Sequence, residues 1–148
     1  MDPISIIGLT ATIGKLLQLG GEIPIGIRNL SSKYRDCAST LSMIEVECAT
    51  IQAAVTQIKE WIEADLVSSP SKEALADPLQ TALKGCCNSM EALQTELLRF
   101  QSREGESSTR IRWNKIKHTL DDKQMRSYLD DLRWQANGMH FLVATTKL

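Results

Sequence analysis

The feature that most constrains this chain is a run of apolar residues at 3,4,3,4,3,4 spacing: Leu41, Ile44, Cys48, Ile51, Val55, Ile58 and Ile62. Only a helix turns seven such positions onto one side, so the run predicts a single long helix over about 36–65 with one continuous apolar seam. A second run, Leu79, Leu83, Cys86, Met90, Leu93, Leu97 and Phe100, predicts a partner helix over about 72–101, packed antiparallel against the first. Ser68-Ser69-Pro70-Ser71 reads as the turn between them, with Ser71 as N-cap and Pro78 in the second turn, where it delays or bends the start. A third run, Met125, Leu129, Leu132, Ala136, Met139 and Val143, predicts a helix over about 120–146, begun by Thr119 and Asp122 as a capping box and weakened at Gly138. Trp61 and Trp134 fall near a seam or its flank, so both are expected at the core or its rim.

The N-terminal segment has a different texture. Asp2 and Pro3 form a helix start, and the expected helix runs over about 3–19, ended by Gly20-Gly21 and Pro24. From Pro3 to Gly21 its one charge is Lys15. Ile4, Ile6, Ile7, Leu9, Ile13, Leu16, Leu17 and Leu19 point around the whole helix, and Gly8, Ala11, Thr12 and Gly14 form a small-residue face. A helix apolar on all sides has two possible environments. It is either sandwiched in the protein interior or able to leave water for lipid, where small residues allow close helix contacts. Lys15 opposes deep insertion by about 2.5–3.5 kcal/mol at mid-bilayer unless it snorkels or faces a wet pore.

No strand pattern survives outside the short 23–27 stretch, so the fold class is all-α: an elongated up-and-down four-helix bundle forming one domain over 1–148. With 148 residues, 43% hydrophobic and 24% charged, the chain is large enough to bury a core without disulfides or metals. Cys37, Cys48, Cys86 and Cys87 contain no C-x-x-C pair, which argues against zinc, and Cys48 and Cys86 fall on the apolar seams as reduced thiols. The start lacks the basic n-region of a secretory signal, so a cytoplasmic location is expected.

A net charge of -1 argues against nucleic acid as a partner. The charge is uneven, with nine basic and six acidic side chains over 101–148 against three and six over 61–100. Its densest point is Arg110-Ile111-Arg112-Trp113-Asn114-Lys115-Ile116-Lys117-His118. That stretch reads either as a solvated connector whose Trp113 and Ile116 cap the bundle end, or as a docking patch. As a patch, Arg110, Arg112, Trp113, Lys115 and Lys117 suit anionic lipid, each cation contributing about 1 kcal/mol near the surface, or an acidic partner.

Catalysis has no pattern to carry it. His118 and His140 belong to no metal spacing, and no nucleophile elbow or phosphate-binding glycine loop is present, so no enzyme, catalytic residue, metal or cofactor is expected.

Several stretches resemble the fungal HeLo-like and SesA-like helical domains that precede the nucleotide-binding switch of NLR-like immune receptors. They are the opening Met1-Asp2-Pro3-Ile4-Ser5-Ile6-Ile7-Gly8-Leu9, then Lys33-Tyr34-Arg35-Asp36, Glu47-Cys48, Gly85-Cys86 and Arg112-Trp113-Asn114. Residues 1–148 hold no nucleotide-binding or repeat region, so on this resemblance they are either an excised domain or a stand-alone protein, and Cys37-Ala38 stands where relatives often have a proline. The resemblance implies a helical bundle whose first helix is released to target or perforate membranes in programmed cell death, heterokaryon incompatibility or innate immunity. It implies self-association, relocation to the plasma membrane, and partnership with an anionic bilayer or a related receptor. Other members of the group only recruit or oligomerise partners, so a non-lytic adaptor is the alternative reading.

Overall fold

The computed structural model describes residues 3–31, 38–66, 76–104 and 122–146. Four long helices result: α1 over Pro3–Ser31, α2 over Ala38–Trp61, α3 over Ala76–Glu104 and α4 over Asp122–Thr146. A π-helical turn over Ile62–Leu66 continues α2. No strand occurs among the described residues. The 29 residues of α1 and of α3 each rise about 1.5 Å per residue, giving a rod roughly 43 Å long.

The three heptad seams are the core. Every seam residue of α2 from Leu41 to Ile58 is buried, as are Ile62, Leu79 through Leu97 on the α3 seam, and Met125 through Val143 on the α4 seam. The fourth wall comes from α1, through Leu9, Ile13, Leu16, Leu19, Ile23, Ile27 and Leu30.

Cross-helix contacts set the directions. Arg28 of α1 pairs with Glu45 of α2, while Ile13 and Gly14 lie beside Lys59 and Ile62, so these two helices run antiparallel. Gln80 of α3 reaches Thr12 and Gln94 reaches Glu22, so α3 runs parallel to α1. Gln135 of α4 reaches Ser89, while Tyr128 feels the charge of Glu96, which makes α4 antiparallel to α3 and parallel to α2. The helices therefore alternate up, down, up, down.

Three expectations need correction. First, α2 and α3 are not side-by-side neighbours: α1 packs on α2 and α3, α4 packs on both as well, and α2 and α3 face each other across the core diagonal. Heptad spacing specifies that a seam is buried and leaves open which seam it meets. Second, α1 does not stop near Leu19 but runs through Gly20, Gly21 and Pro24 to Ser31, so the 23–27 stretch is helical too. Pro24 has no N–H to donate to the Gly20 carbonyl, yet Leu19, Ile23, Ile27 and Leu30 hold the helix on both sides of the break. Gly20 serves a close approach, since a Cβ there would sit 3.4 Å from three side-chain carbons of Gln52, whose amide donates to the Leu17 carbonyl at 3.4 Å. Third, the α-helical part of α2 ends at Trp61 and its last turn widens to π geometry.

Cys48 and Cys86 lie fully buried as free thiols near each other across that diagonal. Burial pushes both up to about 12, helped at Cys48 by Cys86 and at Cys86 by Cys87. The caps assigned to Asp2, Ser71 and Thr119, the 68–71 turn, Cys37, the Lys33–Asp36 motif and the basic stretch 110–118 lie outside the described residues.

Candidate functional site

The candidate membrane-insertion residues all belong to α1, and the bundle sorts them onto three faces. Leu9, Ile13 and Leu16 belong to the core, and Leu17 is half-buried against it. Gly8 and Thr12 turn toward α3. The Thr12 hydroxyl donates to the Gly8 carbonyl at 3.0 Å and accepts from the Gln80 amide at 3.3 Å. The same Gln80 amide nitrogen lies 3.7 Å from where a Cβ on Gly8 would be. Ile7, Ala11 and Gly14 face solvent. Ile4 and Ile6 lie within α1, with their side chains outside the described set.

One expectation about α1 is met: its large apolar residues are not confined to one stripe, since Ile7 stands outside and Leu17 on a flank, although the buried ones keep to a single seam. One is corrected: the small residues do not share a single face, since Gly8, Ala11 and Thr12 border α3 while Gly14 borders the end of α2. Angular position explains both results: the seam continues past Gly20 to Leu30, so its direction is legible only over the whole helix.

The opposite face of α1 is unusual. Ile7, Ala11, Gly14, Gln18, Gly21 and Ile25 follow a 4,3,4,3,4 spacing, are all exposed or nearly so, and include no charge. Ile7 is 68% and Ile25 60% exposed. A surface helix normally carries its charges opposite its buried stripe. Here the three charges of α1 sit on the flanks and are engaged by neighbouring helices. Lys15 pairs with Glu91 of α3, Glu22 accepts from Gln94 of α3 at 3.2 Å, and Arg28 reaches Glu45 of α2 at 2.9 Å. The hydrogen bond and charge of Glu91 hold the Lys15 ammonium above its ordinary range, and Lys15 in turn holds the Glu91 carboxyl below its own. The outer stripe is thus left neutral.

Grooves along α1 are shallow. One, of about 120 Å³, lies between α1 and the end of α2, lined by Thr10, Ile13, Gly14, Leu17, Lys59, Ile62 and Glu63. That is well below the ~300–1,000 Å³ of an ordinary ligand pocket. Two wider grooves between α1 and α3 are open to solvent, one floored by Ile25 and Leu98, the other beside Lys15, Lys84 and Cys87. Among the described residues no group of three or more His, Cys, Asp or Glu could hold a metal ion. No helix among them is long and apolar enough to cross a membrane. Arg110, Arg112, Trp113, Lys115 and Lys117 lie outside the described residues.

Two surfaces fall outside the sequence expectations. The solvent side of α2 carries Ser42, Val46, Ala49, Ala53 and Gln57, uncharged until Glu60 at its end. On α4, Trp134 and Phe141 are 77% and 73% exposed, with Gly138 between them. This corrects the expectation for Trp134, which stands in solvent, whereas Trp61 is buried at the core as expected. The seven-residue step from Trp134 to Phe141, half a turn away from the Leu132 seam, was the available signal. No family model, curated protein or solved structure matches the chain.

Proposed function

We propose that this chain is a non-catalytic signalling module of the HeLo-like kind that self-associates and applies α1 to an anionic membrane in a cell-death or immune response. The observation that supports this reading is the uncharged outer stripe of α1, from Ile7 to Ile25, on a helix whose buried stripe is wholly apolar. Such a helix meets a bilayer without first having to desolvate an outward charge. In this proposal α1 lies in the plane of the interface.

Energetics limit the route. Leaving the bundle for water exposes seven large side chains of α1 that are 0–6% exposed in the fold. At about 1.5–3 kcal/mol each, this costs roughly 10–20 kcal/mol, against a total domain stability of about 5–15 kcal/mol. A free α1 in water is therefore not an intermediate. The outer stripe docks first, and the buried stripe changes environment only in contact with lipid, with the basic 110–117 stretch adding attraction to anionic headgroups.

The test is dye leakage and co-sedimentation with vesicles containing phosphatidylserine, for the intact chain and for Ile7→Glu and Ile25→Glu. Both sites are exposed, so the bundle stays folded while the stripe gains charge. The proposal expects leakage to fall at least tenfold in each variant, and undiminished leakage would remove it. Truncating residues 1–21 is a poorer test, because it also deletes Leu9, Ile13, Leu16 and Leu19 from the core.

The second reading is a non-lytic adaptor that recruits a related receptor or another copy of itself. The exposed rings of Trp134 and Phe141 favour it. An adaptor leaves vesicles intact and still forms defined protein complexes.

A further inference from the structure

On α4 the residues buried in the bundle and the rings exposed to water occupy opposite sides. Met125, Leu129, Leu132, Ala136, Met139 and Val143 point inward. Trp134, Gly138 and Phe141, at 4,3 spacing, point directly outward, and a Cβ on Gly138 would meet nothing within 4 Å. Two rings seven residues apart, with a glycine between them, make a surface that is complementary to itself.

We propose that this face of α4 binds the same face of a second copy, antiparallel, about a two-fold axis passing between Asn137 and Gly138. That operator places Trp134 of one copy beside Phe141 of the other, twice over, and lets the two backbones approach at Gly138. Charge selects the direction. In the antiparallel arrangement Asp130 and Asp131, both exposed, lie opposite the neutral Thr145 and Ala144. In a parallel arrangement each aspartate opposes its own copy, and like charges in contact are repulsive. Area sets the strength. A Trp or Phe side chain offers about 150–250 Å², so four rings exposed at 77% and 73% supply roughly 600 Å². The flanking residues bring the total to about 1,000–1,200 Å², the lower edge of specific interfaces. An interface of that size is expected to be reversible, so the dimer should depend on concentration.

This inference rests on the self-association step of the function proposed above and supplies its surface. The experiment measures mass by sedimentation equilibrium over about 5 µM to 1 mM for the wild type, Trp134→Glu, Phe141→Arg and an equimolar mixture of the two variants, with thermal melts to verify folding. Both substituted residues are exposed, so melting temperatures stay near that of the wild type. Each variant alone weakens dimerisation by at least about 30-fold. The mixture restores it, because the two-fold pairs the new Glu with the new Arg at one contact and keeps a native Trp–Phe pair at the other. A wild type that is monomeric at 1 mM, variants that dimerise as tightly as the wild type, or a mixture that associates no better than either variant alone each overturns the proposal. Vesicle leakage separates it from the membrane reading: a dimer that never leaks vesicles removes that reading and leaves this one standing. Full leakage by a monomeric Trp134→Glu leaves the dimer in place and detaches it from lysis.

Discussion

Ile23 lies beyond the Gly20-Gly21 pair that reads as a helix end in the sequence, and it is 0% exposed. Cutting it to alanine removes three carbons from a packed site and costs about 2–5 kcal/mol, the transfer free energy of those atoms plus the cavity left behind. For a domain of this size 1 kcal/mol moves the melting temperature by about 2–4 °C, so Ile23→Ala melts roughly 5–15 °C below the wild type. Ile7→Glu is the control from the same helix: at 68% exposure it stays within about 0.5 kcal/mol, a shift of no more than about 2 °C. Paired urea and thermal titrations followed by circular dichroism measure both. An Ile23→Ala variant as stable as the wild type would refute the placement of the second half of α1 in the core, and with it the single seam from Leu9 to Leu30. A large loss at Ile7 would refute the assignment of its outer face.

Pro24→Ala restores a backbone donor toward the Gly20 carbonyl and raises stability by about 1–3 kcal/mol, while Gly21→Ala, with open space around the added Cβ, raises it by about 0.5–1 kcal/mol. A loss of stability in either melt would show that α1 is not a regular helix there. The alkaline limb of stability depends on the buried thiols. Their folded values are raised to about 12 from 9.0, so the unfolded chain releases these protons first and stability falls as pH rises from about 9 toward 12. The slope is about 1.4 kcal/mol per pH unit for each thiol. Between pH 8 and 10.5 the double variant Cys48→Ala/Cys86→Ala loses stability less steeply than the wild type in urea titrations, and parallel curves would contradict the burial of these groups.

Much of the fold was legible because heptad spacing is a direct record of burial. The seams of α2, α3 and α4, from Leu41 to Val143, reappear as the core wherever side chains are described. Local punctuation was a weaker guide. Gly20, Gly21 and Pro24 signal a helix end when read over a few residues. Packing of Leu19, Ile23 and Ile27 against α2 and α3 outweighs that signal, since tertiary burial of several large side chains exceeds a propensity cost of a few kcal/mol. The arrangement of helices was hidden for a different reason. Seams that all share one period do not encode which neighbours they choose, so the diagonal placement of α2 and α3 emerges only from the packing of α1 and α4 on both of them. The candidate site was half legible. The scarcity of charge on α1 shows in the sequence, but its division into a buried stripe and a neutral outer stripe needs the direction of the core. Lys15 illustrates the gap: as a lone charge it looked like a barrier to insertion, whereas in the fold it is engaged by Glu91 on the flank of α1.

The central claim is that α1 is a core helix in water whose environment changes at a membrane. Amide hydrogen exchange along α1, compared in buffer and with phosphatidylserine vesicles, tests it most directly. The account predicts protection of the Leu9–Leu30 amides close to the global unfolding limit in buffer, and a changed pattern confined to α1 and its partners once vesicles are added. Identical protection with and without lipid would contradict it.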